Sequence, residues 1–146
     1  MIQVQLISKD QTYPIRNKVL RKGKPIETCF FDGDDLKTTF HFGIIIDKEI
    51  IGVASVYNVL HYNFSEENQC QLRGMAILEK YQNSGMGNRL LSTVESFCIQ
   101  TKTNILWFNA REKALPFYKK LNYQVAGNAF EIENIGTHYL MFKKLL

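Results

Sequence analysis

The chain has 146 residues, 45% of them apolar and 12% aromatic, with a formal net charge of +4. That suffices for one cored domain spanning 1–146 and is too apolar for disorder; with no membrane-length apolar run and no signal-like leader, a cytoplasmic protein without membrane association is expected. Cys29, Cys70 and Cys98 show no Cys-x-x-Cys spacing, which argues against a disulfide framework and a metal site, and the mild charge lacks the basic stripe of a nucleic-acid binder.

Ile2, Val4 and Leu6 alternate with polar residues and predict a first strand with one face to the core. A helix follows, with Asp10 or Thr12 as its cap, Pro14 in its first turn, Ile15, Val19 and Leu20 on its buried side, and Gly23 and Pro25 ending it. From Lys24 to Thr38 the pattern dissolves into a solvated loop. Thr39 to Ile46 and Ile50 to Asn58 are β-rich runs joined by the short hairpin Asp47-Lys48-Glu49. After a polar loop, Leu60 to Asn68, comes a strand over Gln69 to Leu78. Gly74 interrupts it, marking a bulge or a close backbone approach.

Gln82-Asn83-Ser84-Gly85-Met86-Gly87 lies between that strand and a helix whose apolar stripe is Met86, Leu90, Leu91, Val94, Phe97 and Cys98. A glycine-bearing loop that feeds a helix N-terminus turns its unpaired N–H groups toward one point, and such a loop binds phosphate. It is not a P-loop, because Asn88 and Arg89 follow Gly87. Nor is it a dinucleotide fingerprint, because Leu90 stands where the third glycine belongs and Asn109 where the acidic residue would be. Ile105 to Asn109 is a strand buried on both faces, and Glu112 to Leu121 a helix whose regular part begins near Lys113 or Ala114, since Pro116 bars an earlier start. Tyr123 to Gly127 and His138 to Lys144 are the last strands, with a long loop, Asn128 to Thr137, between them.

The remaining pattern, Gln-x-x-Gly-x-Gly at 82–87, resembles the pyrophosphate loop of the GNAT superfamily of N-acetyltransferases. Met75-Ala76-Ile77 stands five residues before Gln82, at the usual family spacing. The run from Asn109 through Phe117-Tyr118-Lys119-Lys120-Leu121-Asn122-Tyr123 resembles the family segment ending in Phe-Tyr-x-x-Leu-Gly-Phe, with Asn122 able to take the left-handed cap that glycine usually fills. Length and element order match a whole GNAT domain. The resemblance implies an α/β GNAT fold: a mixed twisted sheet, helices on both faces, and a cleft where the central strand and Ile105–Asn109 splay apart.

The resemblance also implies acetyl-CoA as cosubstrate, held by Met75, Ala76, Ile77, Gln82, Asn83, Ser84, Gly85, Met86, Gly87, Asn109 and Phe117. Asn109 either bonds the pantetheine or caps its strand. The implied acceptor is a primary amine of a small molecule or peptide, acetylated by direct transfer, with Lys24 to Thr38 as an alternative to a solvated loop forming one wall of its pocket; a homodimer is left open. Tyr118 is the expected acid for the departing thiolate. A phenol of ordinary pKa is about 1.5 units above a thiol, an uphill step of about 2 kcal/mol. The central strand holds no carboxylate, so the base is sought among His41, His61, Glu66, Glu79, Glu133 and His138, with His138 favoured because Gly136-Thr137-His138 resembles the Gly-x-His ends of some family members. A lysine amine loses its proton at a cost of about 4–5 kcal/mol at neutral pH and an α-amine at about 1, so a water relay suffices for the second. The rivals are a non-catalytic acyl-CoA-binding regulator and a general nucleotide-binding module.

Overall fold

The computed structural model describes residues 1–146. Strands β1 (Ile2–Ile7), β2 (Phe40–Ile46), β3 (Glu49–Tyr57), β4 (Gln69–Ile77), β5 (Ile105–Arg111), β6 (Gln124–Ile132) and β7 (Gly136–Lys144) are interleaved with helices α1 (Lys9–Val19), α2 (Met86–Gln100) and α3 (Leu115–Lys120). Hydrogen bonds link the strands in the order β1-β2-β3-β4-β5-β7-β6. β4 and β5 run parallel, whereas β1–β2, β2–β3, β5–β7 and β6–β7 are antiparallel, so the sheet is mixed as expected. The chain forms two compact units, Met1–Asn58 with Leu72–Phe97 and Val59–Gln71 with Cys98–Leu146.

In the first unit, the β2–β3 hairpin turns on Asp47 and Lys48, both left-handed at φ 50° and 70°. Two such residues make the tight turn whose twist matches that of paired strands. Antiparallel pairing puts Phe42 opposite Ala54 and His41 opposite Ser55, so the two faces separate cleanly. Phe40 and Phe42 stack on Phe97 of α2, with ring centroids 4.7 and 5.2 Å apart. Val53, on the opposite face, joins Ala76 and Ile15 of α1. The helices therefore cover both faces. Helix α1 is capped by Ser8, not by Asp10 or Thr12. Its hydroxyl accepts from the Gln11 N–H at 3.3 Å while the Gln11 side chain accepts from the Ser8 N–H at 2.8 Å, a reciprocal capping box. Pro14 consequently lies in the second turn. Thr12 is fully buried and donates to the Lys9 carbonyl.

In the second unit, Gln69, Cys70 and Gln71 of β4 register with Ile105, Leu106 and Trp107. Ile105 through Phe108 are buried, as the apolar run predicts, and the Trp107 indole donates to the Val59 carbonyl at 3.0 Å. The residues before α3 form a 3-10 turn, Glu112–Ala114, and Pro116 sits at the second helical position, where no N–H is needed. Asn122 takes φ 71°, closing the helix as expected, with the Tyr123 N–H bonded to the Tyr118 carbonyl. The segment 128–137 is not a long loop. β6 runs on to Ile132 against β7, with a register shift between Ala126 and Phe130. Most of β6 is exposed, so no apolar alternation marked it in the sequence.

Candidate active site

In the first unit, the loop after β4 is built by its own side chains. A 3-10 turn, Glu79–Tyr81, leads to Gln82, whose amide donates to the Ile77 carbonyl at 2.8 Å and ties the loop to the strand end. Ser84 donates to the Tyr81 carbonyl at 2.5 Å. Asn83 and Gly85 are left-handed at φ 60° and 85°, and a Cβ on Gly85 would meet no atom within 4 Å. The backbone thus faces open space where α2 begins. The Arg89 N–H bonds the Gly85 carbonyl at 3.1 Å, so the N–H groups of Met86, Gly87 and Asn88 point out of the helix start without a carbonyl behind them. Gly87 lies inside the first turn of α2 with no positive φ. The paired-glycine turn expected from the sequence therefore reduces to Gly85 alone. An exposed cradle of donors at the positive end of a 15-residue helix fits a pyrophosphate.

Just upstream, Gly74 adopts φ 66°, and a Cβ there would lie 3.0 Å from the Phe31 ring and 3.1 Å from Arg16 Nε. Of the two sequence expectations for Gly74, a bulge or a close approach, the structure shows the close approach, while β4 runs unbroken from Gln69 to Ile77. Met75 and Ile77 are half-buried just beyond Gly74, and Ala76 is buried.

In the second unit, Tyr118 lies against Phe108, Phe117 and Tyr123, with ring centroids 4.4, 5.0 and 5.9 Å away. Burial pushes its phenol up to about 12. The group is fully protonated at neutral pH, as an acid must be, but the gap to a thiol of ordinary pKa widens to about 3.5 units, or about 5 kcal/mol. Phe117 is exposed, and so is Asn109. β5 continues past Asn109 to Arg111, so Asn109 does not cap a strand end. His138 lies in β7 between Arg111 and Phe130 and is buried. Its Nδ1 meets the Gly136 carbonyl at 2.8 Å. Because a carbonyl only accepts, Nδ1 is the donor in this contact, and in the neutral ring Nε2 is the nitrogen with the lone pair.

Comparison with known proteins identifies the family and the fold. The acetyltransferase (GNAT) family pattern matches residues 7–123. The uncharacterised N-acetyltransferase YitI of Bacillus subtilis (strain 168) is 34% identical over 145 residues, covering 99% of this chain and 97% of that protein. The chain belongs to the GNAT acetyltransferase family. Solved GNAT structures share its fold. An aminoglycoside 6'-N-acetyltransferase complexed with coenzyme A superposes with a TM-score of 0.79 at 11% identity, over 99% of this chain and 97% of that one. The Escherichia coli ribosomal-protein-S18-alanine N-acetyltransferase superposes with 0.79 at 17% identity, over 99% and 94%. As a GNAT acetyltransferase, the chain is an enzyme of acyl transfer.

Of the other base candidates in this GNAT chain, three are engaged by neighbouring groups and two are exposed. His41 is buried with Nδ1 2.6 Å from the Ser55 hydroxyl and Nε2 3.1 Å from the Asp34 carbonyl, and burial lowers its pKa. The His61 ring stacks on Tyr62 and meets Trp107 edge-on, and Nδ1 accepts from the Asn63 N–H. Glu66 approaches Lys144 at 3.8 Å, while Glu79 and Glu133 are exposed. Cys29 and Cys98 are buried, as small hydrophobes should be. Cys70 is half-buried, and a hydrogen bond from Cys98 draws its thiol down against the effect of burial.

Sequence reasoning missed a polar cluster inside the first unit. Arg16, fully buried, places Nη1 2.7 Å from the Asp34 carboxylate and 2.8 Å from the Cys29 carbonyl. Its Nη2 reaches Ser55 Oγ at 3.0 Å and the Tyr57 hydroxyl at 3.1 Å. Tyr57 donates to Asp34 at 2.6 Å, and burial with this bond raises its phenol to about 12. Asp34 is therefore not part of a solvated loop. The signal was present: Thr12, Ile15, Arg16 and Val19 follow the spacing of one helix face, and Arg16 stands among its buried positions. A cavity of about 430 Å³ opens beside the cluster, between Ser8, Lys9, Asp34 and His41. It contains none of residues 82–87, and the cofactor reading rests on the donor cradle rather than on cavity size.

Proposed function

We propose that this GNAT chain is an acetyl-CoA-dependent N-acetyltransferase that acetylates the primary amine of a small molecule or peptide by direct transfer. The observation that carries the reading is the left-handed Gly85, open on its outer side, immediately before three helix-start N–H groups. Acetyl-CoA supplies an activated acetyl thioester. Residues Gln82 to Gly87 hold its pyrophosphate, with Gln82 keeping the loop on the strand end. Met75 to Ile77 offer backbone groups to the pantetheine, and Asn109 and Phe117 contribute an exposed amide and ring. Tyr118 serves as the acid, giving its hydrogen bond to the departing sulfur as negative charge develops there. His138 Nε2 is the base for acceptors whose amine is protonated. One fold neighbour is named for an aminoglycoside and another for a protein alanine, so the fold serves both small and peptide acceptors.

Calorimetry with acetyl-CoA on the wild type and on a Gly85→Val, Gly87→Val variant tests the reading. Binding is expected in the first and lost in the second, because branched Cβ groups disfavour the left-handed turn and fill the approach to the N–H groups. Wild-type affinity in the double variant would overturn it. Thiol release with an amine panel then separates an enzyme from a binding-only regulator.

A further inference from the structure

The Phe31 ring gathers three guanidinium groups. The Cζ atoms of Arg16, Arg73 and Arg21 lie 4.0, 4.9 and 5.6 Å from its centroid, and that of Arg73 is also 5.4 Å from the Tyr57 centroid. Negative charge does not keep pace. Asp34 is the one carboxylate in this group, and Arg16 and Tyr57 already hold it. Asp35 pairs with Lys9, and Asp32 is exposed and in no ion pair. Neither Arg73 nor Arg21 forms an ion pair; the Arg21 guanidinium donates only to the Leu20 carbonyl, at 3.1 Å. An exposed arginine needs no partner, but Arg73 is half-buried in β4 against two aromatic rings. Stacking holds a guanidinium plane in place while its edge donors stay free, which suits the forked recognition of a carboxylate.

The location gives the excess charge a use. Phe31 touches β4 at Gly74, next to Arg73 and one residue before Met75, where the strand offers its backbone to the acyl donor in the function proposed above. We propose that Arg73 and Arg21, braced on Phe31, bind the carboxylate of the acceptor, which makes the acceptor class a small amine that carries a carboxylate, an amino acid. This rests on the transferase reading. It also explains the effort spent on Arg16 and Asp34: their buried pair fixes the loop that presents Phe31, since the Phe31 N–H donates to Asp34 at 2.9 Å.

The test is thiol release from acetyl-CoA by the full chain, with amino acids compared to their own amides. Amides have the less basic amine and react faster unless the carboxylate is bound, so the comparison is biased against the proposal. The preferred amino acid is expected to exceed its amide by at least about 10-fold in kcat/KM; Arg73→Gln should abolish that ratio mainly through KM, and Arg73→Lys should restore part of it. Amides or plain amines used as well as amino acids, or a preference untouched by Arg73→Gln, would overturn the proposal. Acetyl-CoA calorimetry keeps the two readings apart. If acetyl-CoA does not bind, or no amine is acetylated, succinate binding decides: affinity weakened at least about 10-fold in Arg73→Gln and in Arg21→Gln supports the anion site, whereas equal affinity, or none in the wild type, rejects it.

Discussion

Replacing Asp34 by Asn removes one negative charge from the interior and leaves the fully buried Arg16 facing a neutral amide. Asp34 accepts four contacts, from Arg16 Nη1 and Nη2 at 2.7 and 3.2 Å, the Tyr57 hydroxyl at 2.6 Å and the Phe31 N–H at 2.9 Å. Stranding one partner of a buried pair costs about 3–5 kcal/mol, and a chain of 146 residues has about 7–22 kcal/mol in all. Urea unfolding followed by circular dichroism should show the midpoint falling by about 2 M at a typical slope of about 2 kcal/mol per M. A double change, Arg16→Met with Asp34→Leu, should recover most of the loss, because the cost comes from the stranded charge rather than from the missing attraction. A loss below about 1 kcal/mol in Asp34→Asn would refute the reasoning, since Arg16 would then have found water or another partner. The same contacts predict an acid dependence. Burial acts to raise the Asp34 pKa, but the hydrogen bonds from Arg16, Tyr57 and Phe31 outweigh it and hold the carboxyl below its ordinary value. The unfolded chain therefore takes up the proton first as pH falls. The stabilisation is complete above about pH 4 and disappears as pH drops through the folded-state value. Asp34→Asn should lack that component of the slope.

Tyr118→Phe should retain acetyl-CoA affinity, since the ring stays among Phe108, Phe117 and Tyr123, and lose about 10- to 1000-fold in kcat in the thiol-release assay. With the phenol at about 12, no alkaline limb from Tyr118 should appear in the wild-type pH–rate profile below about pH 11; a limb near pH 10 that vanishes in the variant would mean a less buried hydroxyl in the working enzyme. Cys70→Ala removes the acidified thiol, yet turnover per folded molecule should stay within about twofold, because direct transfer uses no acyl-cysteine. A folded, CoA-binding, inactive Cys70→Ala would reverse that assignment. Asn122→Ala should cost about 1 kcal/mol of stability by thermal unfolding and Asn122→Gly almost nothing, as the position is left-handed at φ 71°.

Where a few neighbouring residues settle the physics, the sequence alone was informative. The strand, glycine loop and amphipathic helix around 82–87, the buried run Ile105–Phe108, the close approach at Gly74 and the Asn122 cap are each written in adjacent positions, through φ preference, apolar spacing or helix-end chemistry. The Ser8–Gln11 box is equally local, but Asp10 and Thr12 also carry capping oxygens, so residue type alone points to either of them as readily as to Ser8. The long β6–β7 hairpin was beyond local reading, because an edge strand whose side chains are mostly exposed carries no apolar alternation, and β7 alone decides that it pairs. The place of Arg16 on a buried helix face was legible in the spacing, but its partners were out of reach for a related reason. Arg16, Asp34, Ser55 and Tyr57 are distant in sequence, and a charged residue on an apolar helix face reads as an exception until the fold brings a carboxylate to within 2.7 Å of it. Chain-local chemistry determined the glycine loop at 82–87 and the helix that follows it. Which charges around Phe31 are paired and which are left over was decided only by the tertiary structure, since charge balance is a property of what meets in space.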